Sequence, residues 1–337
     1  DPARGMFILA YIGVVSGAAL LVYGFADVKA SKPVALLSRS GFILVNNLLL
    51  VIAAAIVLIA IVYPLILELM KLPSISVGPT YFNRTFLPLT APLPILAALA
   101  PLIAWDRSSR AQLKDLCFKL APALLVAAII ALSLYTPLNT LMLIGLMMVA
   151  WLAYASLRYL GRVRSARVRF FSRTGMRHLA SACGHLGLAV FILGMTLTAT
   201  LKQSYDAPLN AKTPMIMGDY TLRVVAADRR EEHNFVSRRA TIEVSRHGHV
   251  ITTLSPELRY YTVRQMQTTE VALYSTPIYD MYMLLGETSY SETNTDTTLG
   301  LRMYITPGQQ FVWIGFVMAA LGGMLGLMAS IQRKGDI

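Results

Sequence analysis

The sequence predicts a polytopic α-helical membrane protein with about seven transmembrane helices and an extracytoplasmic all-β domain inserted before the last helix. Of its 337 residues, 55% are hydrophobic, and the mean hydropathy is +0.57. Several separate apolar runs are long enough to cross a bilayer. Between residues 202 and 308 the pattern changes to short stretches of β-branched and aromatic residues that partly alternate with polar ones. Such alternation is typical of half-buried strands.

The apolar runs place the spans at residues 6–25, 41–67, 86–104, 117–135, 138–157, 178–201 and 309–331. The third run contains Pro88, Pro92, Pro94 and Pro101, which would break a helix in water. Within a bundle, neighbouring helices can re-satisfy the carbonyls that proline leaves free. The predicted organisation is therefore a six-helix transmembrane region over 1–201, a β-rich domain over 202–308, and a last helix with a cytoplasmic tail over 309–337.

The distribution of charge predicts the orientation of these spans. The net charge is +12, and the basic residues concentrate in alternate short loops rather than in the β-rich segment. The densest loop carries seven arginines between residues 158 and 177. By the positive-inside rule, the N-terminus and residues 202–308 are predicted to be periplasmic and the C-terminus cytoplasmic. Because the excess positive charge lies in short loops between spans, it gives no support to nucleic-acid binding.

The histidines of the β-rich segment are interpreted as turn and loop residues. His247 and His249 flank Gly248 between two strand-like stretches, so this segment is predicted to be a hairpin turn in which Gly248 supplies a positive φ. Their HxH spacing also occurs in zinc and copper sites, but side chains across a turn diverge. His233 lies in a charged loop. The sequence contains no HExxH, GxSxG or P-loop motif, so hydrolytic and nucleotide chemistry have no support.

His185 is the main candidate functional residue because it lies about two helical turns inside the sixth span. An ionisable side chain at that depth is costly unless it has a partner or a function. From the residues alone, the imidazole is a candidate for an interhelical hydrogen bond, for a proton path, or for a ligand to a metal or haem iron. Its neighbours Gly184 and Gly187 would allow a planar group or another helix to approach closely.

His178 precedes His185 by seven residues and is predicted to lie on the same helix face, about 10 Å away along the axis. Two histidines so placed cannot both be axial ligands of one haem. Its position beside Arg177 indicates a solvated or headgroup-facing residue. In the second span, Asn46 and Asn47 are candidates for interhelical hydrogen bonding or for a place at a site.

Several motifs, in this order, resemble the CcmF family of cytochrome c biogenesis proteins. They are DPARGMFIL, SRSGFILVNNLLLV, LPSISVGPTYFN, GHLGLAVFILG after the arginine-rich loop, and GDYTLRVV, ATIEV and ELRYYTVRQMQTTEVALY in the β-rich segment. The resemblance extends over the whole chain but covers only the C-terminal half of the family's usual length. The N-terminal half is therefore expected as a separate polypeptide or as a part missing from this sequence. The paralogue that serves a nitrite reductase is expected to look much the same.

The resemblance implies a cytochrome c haem lyase component in the bacterial inner membrane. Its transient substrate haem would come from the haem chaperone CcmE and be joined through thioether bonds to the CxxCH cysteines of apocytochrome c. A CcmH-type thiol-handling subunit and the N-terminal half of the family protein are the other implied protein partners, and quinol is the implied electron donor.

The resemblance also implies a permanent haem b within the bundle. His185 matches the histidine that is one axial ligand of that haem, and the second ligand is expected outside this chain. Gly184, Gly187, Asn46 and Asn47 are candidate neighbours of the haem, and Arg4 matches a family position without a role. No catalytic residue is identified.

Other classes of function remain open at this point. One is a cofactor-free membrane scaffold that docks maturation partners, and another is a small-molecule (haem) transporter. A transporter would be expected to show inverted symmetry between sets of spans, and none is evident in the sequence. Colour distinguishes the classes, because a purified lyase carries haem and a permease does not.

Overall fold

The computed structural model describes residues 34–73, 77–105, 109–134, 139–165, 172–210, 213–263, 265–286 and 298–331. Within these ranges, six helical segments are long and apolar enough to cross a membrane, and they correspond to the second to seventh predicted spans. The chain is a multi-pass membrane protein with an all-β domain. The first predicted span, 6–25, and Arg4 lie outside the described residues.

The described helices follow the chain as α1 (Arg39–Leu69), α2 (Pro79–Thr90), α3 (Pro92–Leu99), α4 (Arg110–Leu134), α5 (Thr140–Ser165), α6 (Arg173–Leu201) and α7 (Gln309–Ile331). A 3₁₀ turn, Ala100–Leu102, continues α3, and together with α2 these pieces form a single candidate span. The prolines divide this span instead of preventing it. Pro92 begins α3, a position where its missing N–H costs no hydrogen bond.

Helix α6 lies at the centre of the bundle and packs against α3, α5 and α7. The side chains at its contacts are small: Ala98, Ala155 and Ala189 are buried in one cluster with Leu152. Small residues allow helix backbones to approach closely, which is how helices in lipid gain packing energy. The outward faces are apolar and exposed; Phe118 on α4, for example, is 81% exposed.

The described residues between α6 and α7 form ten strands. They are β1 (Gln203–Asn210), β2 (Met215–Met217), β3 (Tyr220–Glu231), β4 (Phe235–Arg246), β5 (His249–Leu254), β6 (Glu257–Tyr261), β7 (Met266–Glu270), β8 (Ala272–Ser275), β9 (Tyr279–Leu285) and β10 (Thr298–Pro307). The strands pair antiparallel in two sheets. One has the order β1-β10-β9-β8, and the other has the order β2-β3-β4-β6-β7 with β5 also paired to β4.

The two sheets bury a core of their own. Every second residue of the central strands points into it, and the fully buried members include Leu222, Ile242, Met281, Met283 and Met303. This period of two is the alternation predicted from the sequence. The domain therefore buries its apolar side chains without help from the membrane helices.

The predicted hairpin turn between β4 and β5 is confirmed. β4 ends at Arg246 and β5 begins at His249, and His247 and Gly248 have φ values of 51° and 82°. Positive φ at both central residues is the signature of a type I′ turn. His247 and His249 are both exposed at the tip.

Specific hydrogen bonds attach the β domain to the C-terminal end of α6 and to the N-terminal end of α7. Thr198 donates its hydroxyl to the carbonyl of Pro307 at 3.1 Å. Gln310, in the first turn of α7, donates its side-chain amide to the buried carboxylate of Asp280 at 2.8 Å. The chain between them turns at Gly308, whose φ is 81°. These contacts connect the strands directly to the helix that carries His185.

Candidate functional site

His185 is half-buried near the middle of α6. Its ring lines a shallow depression between α3, α5 and α6 that is too small to enclose a water molecule. The other residues around it are almost all small: Ala97, Ala98, Pro101, Ala155, Ser156, Tyr159, Ser181 and Ala182. The imidazole is therefore bordered mainly by alanine and serine side chains.

The hydrogen bond of His185 determines which ring nitrogen is free. Nδ1 lies 2.6 Å from the main-chain carbonyl oxygen of Ser181, and 3.4 Å from the Ser181 hydroxyl. Because a carbonyl can only accept, the Nδ1 proton is donated to it. Nε2 then carries the lone pair, and no described residue forms a hydrogen bond to it. This is the arrangement in which protein histidines ligate metals, with one nitrogen anchored and the other available.

A single histidine can supply one bond to a metal or haem iron and no more. Within the described part of the chain, no cluster of three or more His, Cys, Asp or Glu side chains could hold a metal ion. The described residues also enclose no space around His185 that would hold a porphyrin. The donor chemistry of His185 therefore fits one axial ligand of a haem, but a second ligand and the enclosure of such a haem would have to come from outside the described residues.

The glycines beside His185 contact another helix. A Cβ at Gly187 would lie 2.5 Å from the backbone nitrogen of Ala319 on α7, and a Cβ at Gly315 would lie 2.6 Å from the carbonyl oxygen of Gly187. Gly322 approaches the backbone of Gly184 in the same way. Gly187 is two residues, or about 200°, from His185 around the helix. The structure thus places α7 against Gly187, away from the His185 depression, whereas the side-chain position of Gly184 is open.

His178 corrects one prediction. It does not face solvent or headgroups: it is half-buried, and its Nδ1 is hydrogen-bonded to the hydroxyl of Tyr159 on α5. The two rings also meet edge to face, with centroids 5.1 Å apart. The sequence could not show this contact, because Tyr159 and His178 lie on separate helices joined by the arginine-rich loop.

Arg39, at the start of α1, was visible in the sequence only as a loop charge. In the structure its guanidinium stacks over the ring of Trp105 at 4.5 Å, and no described residue accepts a hydrogen bond from its buried Nε. The start of α1 therefore lies beside the residues that follow the 3₁₀ turn.

Asn46 and Asn47 lie on α1, the first half-buried and the second exposed. Neither belongs to the residues that line the depression at His185. The structure thus brings together His185, Ser181, Tyr159 and His178, but it does not bring the two asparagines to them within the described part of the chain.

Comparisons with known proteins agree with this architecture. Residues 200–307 match the family model described as the CcmF C-terminal beta-sandwich. The chain is 33% identical over 340 residues to the cytochrome c-type biogenesis protein CcmF of Pseudomonas aeruginosa, covering 99% of this chain and 50% of that protein. It is 30% identical over 337 residues to CcmF of Escherichia coli, covering 99% of this chain and 51% of that protein.

A solved structure shares the fold. It is that of the cytochrome c haem lyase CcmF, which matches with a TM-score of 0.67 and 21% identity over 87% of this chain and 46% of that one. The chain spans about half the length of the curated relatives that it matches.

Proposed function

Because this chain corresponds to the C-terminal half of the CcmF family, we propose that it is part of a membrane-embedded cytochrome c haem lyase. In this proposal the lyase takes haem from the chaperone CcmE and helps to attach it through thioether bonds to the CxxCH cysteines of apocytochrome c. His185 supplies one axial ligand of a haem b held in the bundle. The site is completed by the N-terminal half, which supplies the second ligand.

The observation that carries the proposal is the hydrogen bond between His185 Nδ1 and the Ser181 carbonyl. The acceptor is part of the helix backbone, so forming this hydrogen bond does not require the Ser181 side chain to lose conformational entropy. It holds the ring in one orientation and keeps the proton off Nε2. A histidine whose task was to bridge two helices would instead direct a hydrogen bond toward a neighbouring helix.

The protein groups have defined tasks in this proposal. His185 would hold the iron, and the small side chains beside it would keep water away from the imidazole. When bound, the haem b supplies a redox centre that accepts electrons from quinol and keeps the iron of the substrate haem reduced. Burial and the Ser181 hydrogen bond tune the basicity of the imidazole and with it the potential.

The proposed location is the bacterial inner membrane, with the N-terminus and residues 202–308 periplasmic and the C-terminus cytoplasmic. Cytochromes c are completed outside the cytoplasm in this scheme, so the β domain would face CcmE, a CcmH-type subunit and apocytochrome c. Because the domain buries its own core and is attached to α6 and α7, it can present a docking surface at a constant position above the helices.

The proposal is tested by absorption spectra of the chain co-purified in detergent with its N-terminal half, oxidised and then reduced with dithionite. We expect a b-type spectrum in the wild type and its loss in His185→Ala, because an iron–imidazole bond has no substitute in alanine. Circular dichroism of the β domain should be unchanged, which controls for misfolding. A b-type spectrum that persists in His185→Ala would refute the ligand assignment, and a colourless intact wild type would favour a scaffold or a transporter.

A further inference from the structure

The turn between β8 and β9, residues 276–278, lies beside the last turn of α6. The main-chain N–H of Gly308 donates to the carbonyl oxygen of Ile278 at 2.9 Å. Gly308 in turn packs directly on α6, since an added Cβ there would lie 2.7 Å from the Cβ of Leu197. Leu197 precedes the end of α6 at Leu201 by about one helical turn. This turn of the β domain therefore reaches down to the outer end of a membrane-spanning helix.

The length of α6 places the β8–β9 turn at the boundary of the hydrocarbon core. Leu197 follows Arg177 by 20 residues, which is about 30 Å of helix. This is the thickness of the hydrocarbon core of a typical bilayer. The Arg177 side chain is exposed, and its charge is stable only among headgroups or water. With Arg177 at one boundary of the core, Leu197 and the β8–β9 turn lie at the other.

Trp313 on α7 lies on the same side of the molecule as this turn. Gln310, three residues before it, donates its side-chain amide to Asp280 of β9 at 2.8 Å. Residues three apart are neighbours on a helix surface, so Trp313 lies one turn further into the membrane than that contact. Its ring is 60% exposed. Tryptophan is enriched where acyl chains meet headgroups, so Trp313 is an independent marker of the boundary.

The composition of the β8–β9 turn is suited to contact with lipid. The nine residues from Val271 to Tyr279 contain no charged side chain. Ile278 is 71% exposed, and Pro277 beside it is exposed as well. A single exposed isoleucine needs no explanation on a surface in water. At the boundary of the hydrocarbon core, however, its apolar surface can be removed from water by the acyl chains.

The backbone of the turn supplies acceptors for its own N–H groups. The N–H of Thr276 donates to the carbonyl of Tyr279 at 2.9 Å. The N–H groups of Ile278 and Tyr279 donate to the Thr276 hydroxyl oxygen at 3.3 and 3.0 Å, and Pro277 has no N–H to satisfy. An unpaired backbone donor is costly where water is scarce. The turn can therefore enter the interface without losing hydrogen bonds from these N–H groups to water.

We propose that residues 276–278 form an interfacial membrane anchor, in which Pro277 and Ile278 insert among the lipid chains just below the headgroups, beside Trp313. The occupant of this surface is the bilayer itself, because α6 and α7 are long and apolar enough to span it and fix it at this level. The anchor adds a contact with the membrane to the two helix junctions of the β domain. It therefore limits rotation of the domain relative to the bundle.

The experiment places the photoreactive residue p-benzoylphenylalanine at position 278. The full chain is reconstituted with its N-terminal half into vesicles of phosphatidylethanolamine and phosphatidylglycerol, irradiated and examined by mass spectrometry. We expect Ile278→p-benzoylphenylalanine to gain the mass of a phospholipid. The substitution is compatible with folding, because the Ile278 side chain is exposed and the hydrogen bonds of the turn use its backbone.

Val263 is the matched control, since it is 86% exposed and lies at the opposite end of the β domain. The Arg246 end of β4 pairs with Tyr220, which is hydrogen-bonded to Tyr279 beside the proposed anchor. The other end of β4 pairs with Tyr261, where the turn that carries Val263 begins. Twelve residues of strand separate these ends by about 36 Å. Val263→p-benzoylphenylalanine should therefore gain no lipid.

The other outcomes of the crosslinking experiment contradict the proposal. A crosslink from position 278 to the N-terminal half would overturn it and identify the turn as an interface between the two halves. A lack of any adduct at position 278 would mean that the turn faces water. Equal lipid adducts at positions 278 and 263 would show that the labelling does not depend on the level of the residue, and would overturn the proposal as well.

Quenching of tryptophan fluorescence provides a second measurement that involves no crosslink. Ile278→Trp and Val263→Trp are each reconstituted into vesicles whose phospholipids carry bromine near the top of the acyl chains, and the wild type supplies the signal of the native tryptophans. We expect Ile278→Trp to lose most of its added fluorescence, whereas Val263→Trp should keep it. Equal quenching of the two variants would overturn the proposal.

Discussion

The two faces of α6 differ in how completely they are filled. On one face, Gly187 and Gly194 meet α7 backbone to backbone, and an added Cβ at either would come within 2.5 Å of an α7 atom. On the other face, Ser181 and His185 meet mostly small side chains around a depression that has no room for a water molecule, and His178 meets Tyr159. The α7-facing side of α6 therefore has no room for larger side chains. On its other side, Nε2 of His185 has no hydrogen-bond partner among the described residues.

This difference separates structural from functional residues within a single span. A close-packed interface between helices is stabilised by van der Waals contact, so its residues are constrained mainly by their size and shape. A polar face within a membrane costs energy unless its groups have partners. The unmatched Nε2 of His185 is therefore a feature that packing among the described residues does not explain, and it supports the proposed function.

Gly315→Val should have the largest effect on the packed face. A Cβ at this position would lie 2.3 Å from the backbone nitrogen of Phe191, so α7 must shift away from α6. We expect a loss of about 1–3 kcal/mol or more in unfolding free energy, measured as a lower melting temperature in detergent. Gly323→Val is the matched control, since a Cβ there meets nothing within 4 Å. Equal melting temperatures for the two variants would show that the α6–α7 contact is not close-packed.

Tyr159→Phe should have a smaller effect on the polar face. The ring contact with His178 is kept and only the hydroxyl is lost, so the expected cost is about 1 kcal/mol, the value of one neutral hydrogen bond. Thermal unfolding in detergent measures it. A loss as large as that of Gly315→Val would mean that this face is as tightly constrained as the other.

Ser181→Ala should have the smallest effect. The acceptor for His185 is the main-chain oxygen at 2.6 Å, and the hydroxyl lies 3.4 Å away. The substitution keeps the carbonyl, so stability should stay within about 0.5 kcal/mol of the wild type. The spectrum of the proposed haem should be unchanged. A spectrum lost in Ser181→Ala as fully as in His185→Ala would show that the hydroxyl, and not the backbone, orients the ring.

Much of the architecture could be predicted because apolar length and alternation are local properties of the chain. Six of the predicted spans correspond to described helices, and the turn at His247 and Gly248 followed from its residue types. The third span shows the limit of such prediction. Its prolines were recognised, but only the structure shows that they divide the span at Ala91 into two helices and a 3₁₀ turn.

The candidate site was predictable only in part, and for a physical reason. The position of His185 within an apolar run can be read directly from the sequence. It is informative because an ionisable group is costly to bury in a membrane. Its free nitrogen, the packing of Gly187 against α7, and the contact between Tyr159 and His178 could not be predicted from the sequence. Each depends on which helices become neighbours, and that is decided by contacts between residues far apart in the chain. The sequence alone therefore determined the class of protein and singled out His185 as a candidate, whereas only the tertiary structure decided what surrounds that histidine.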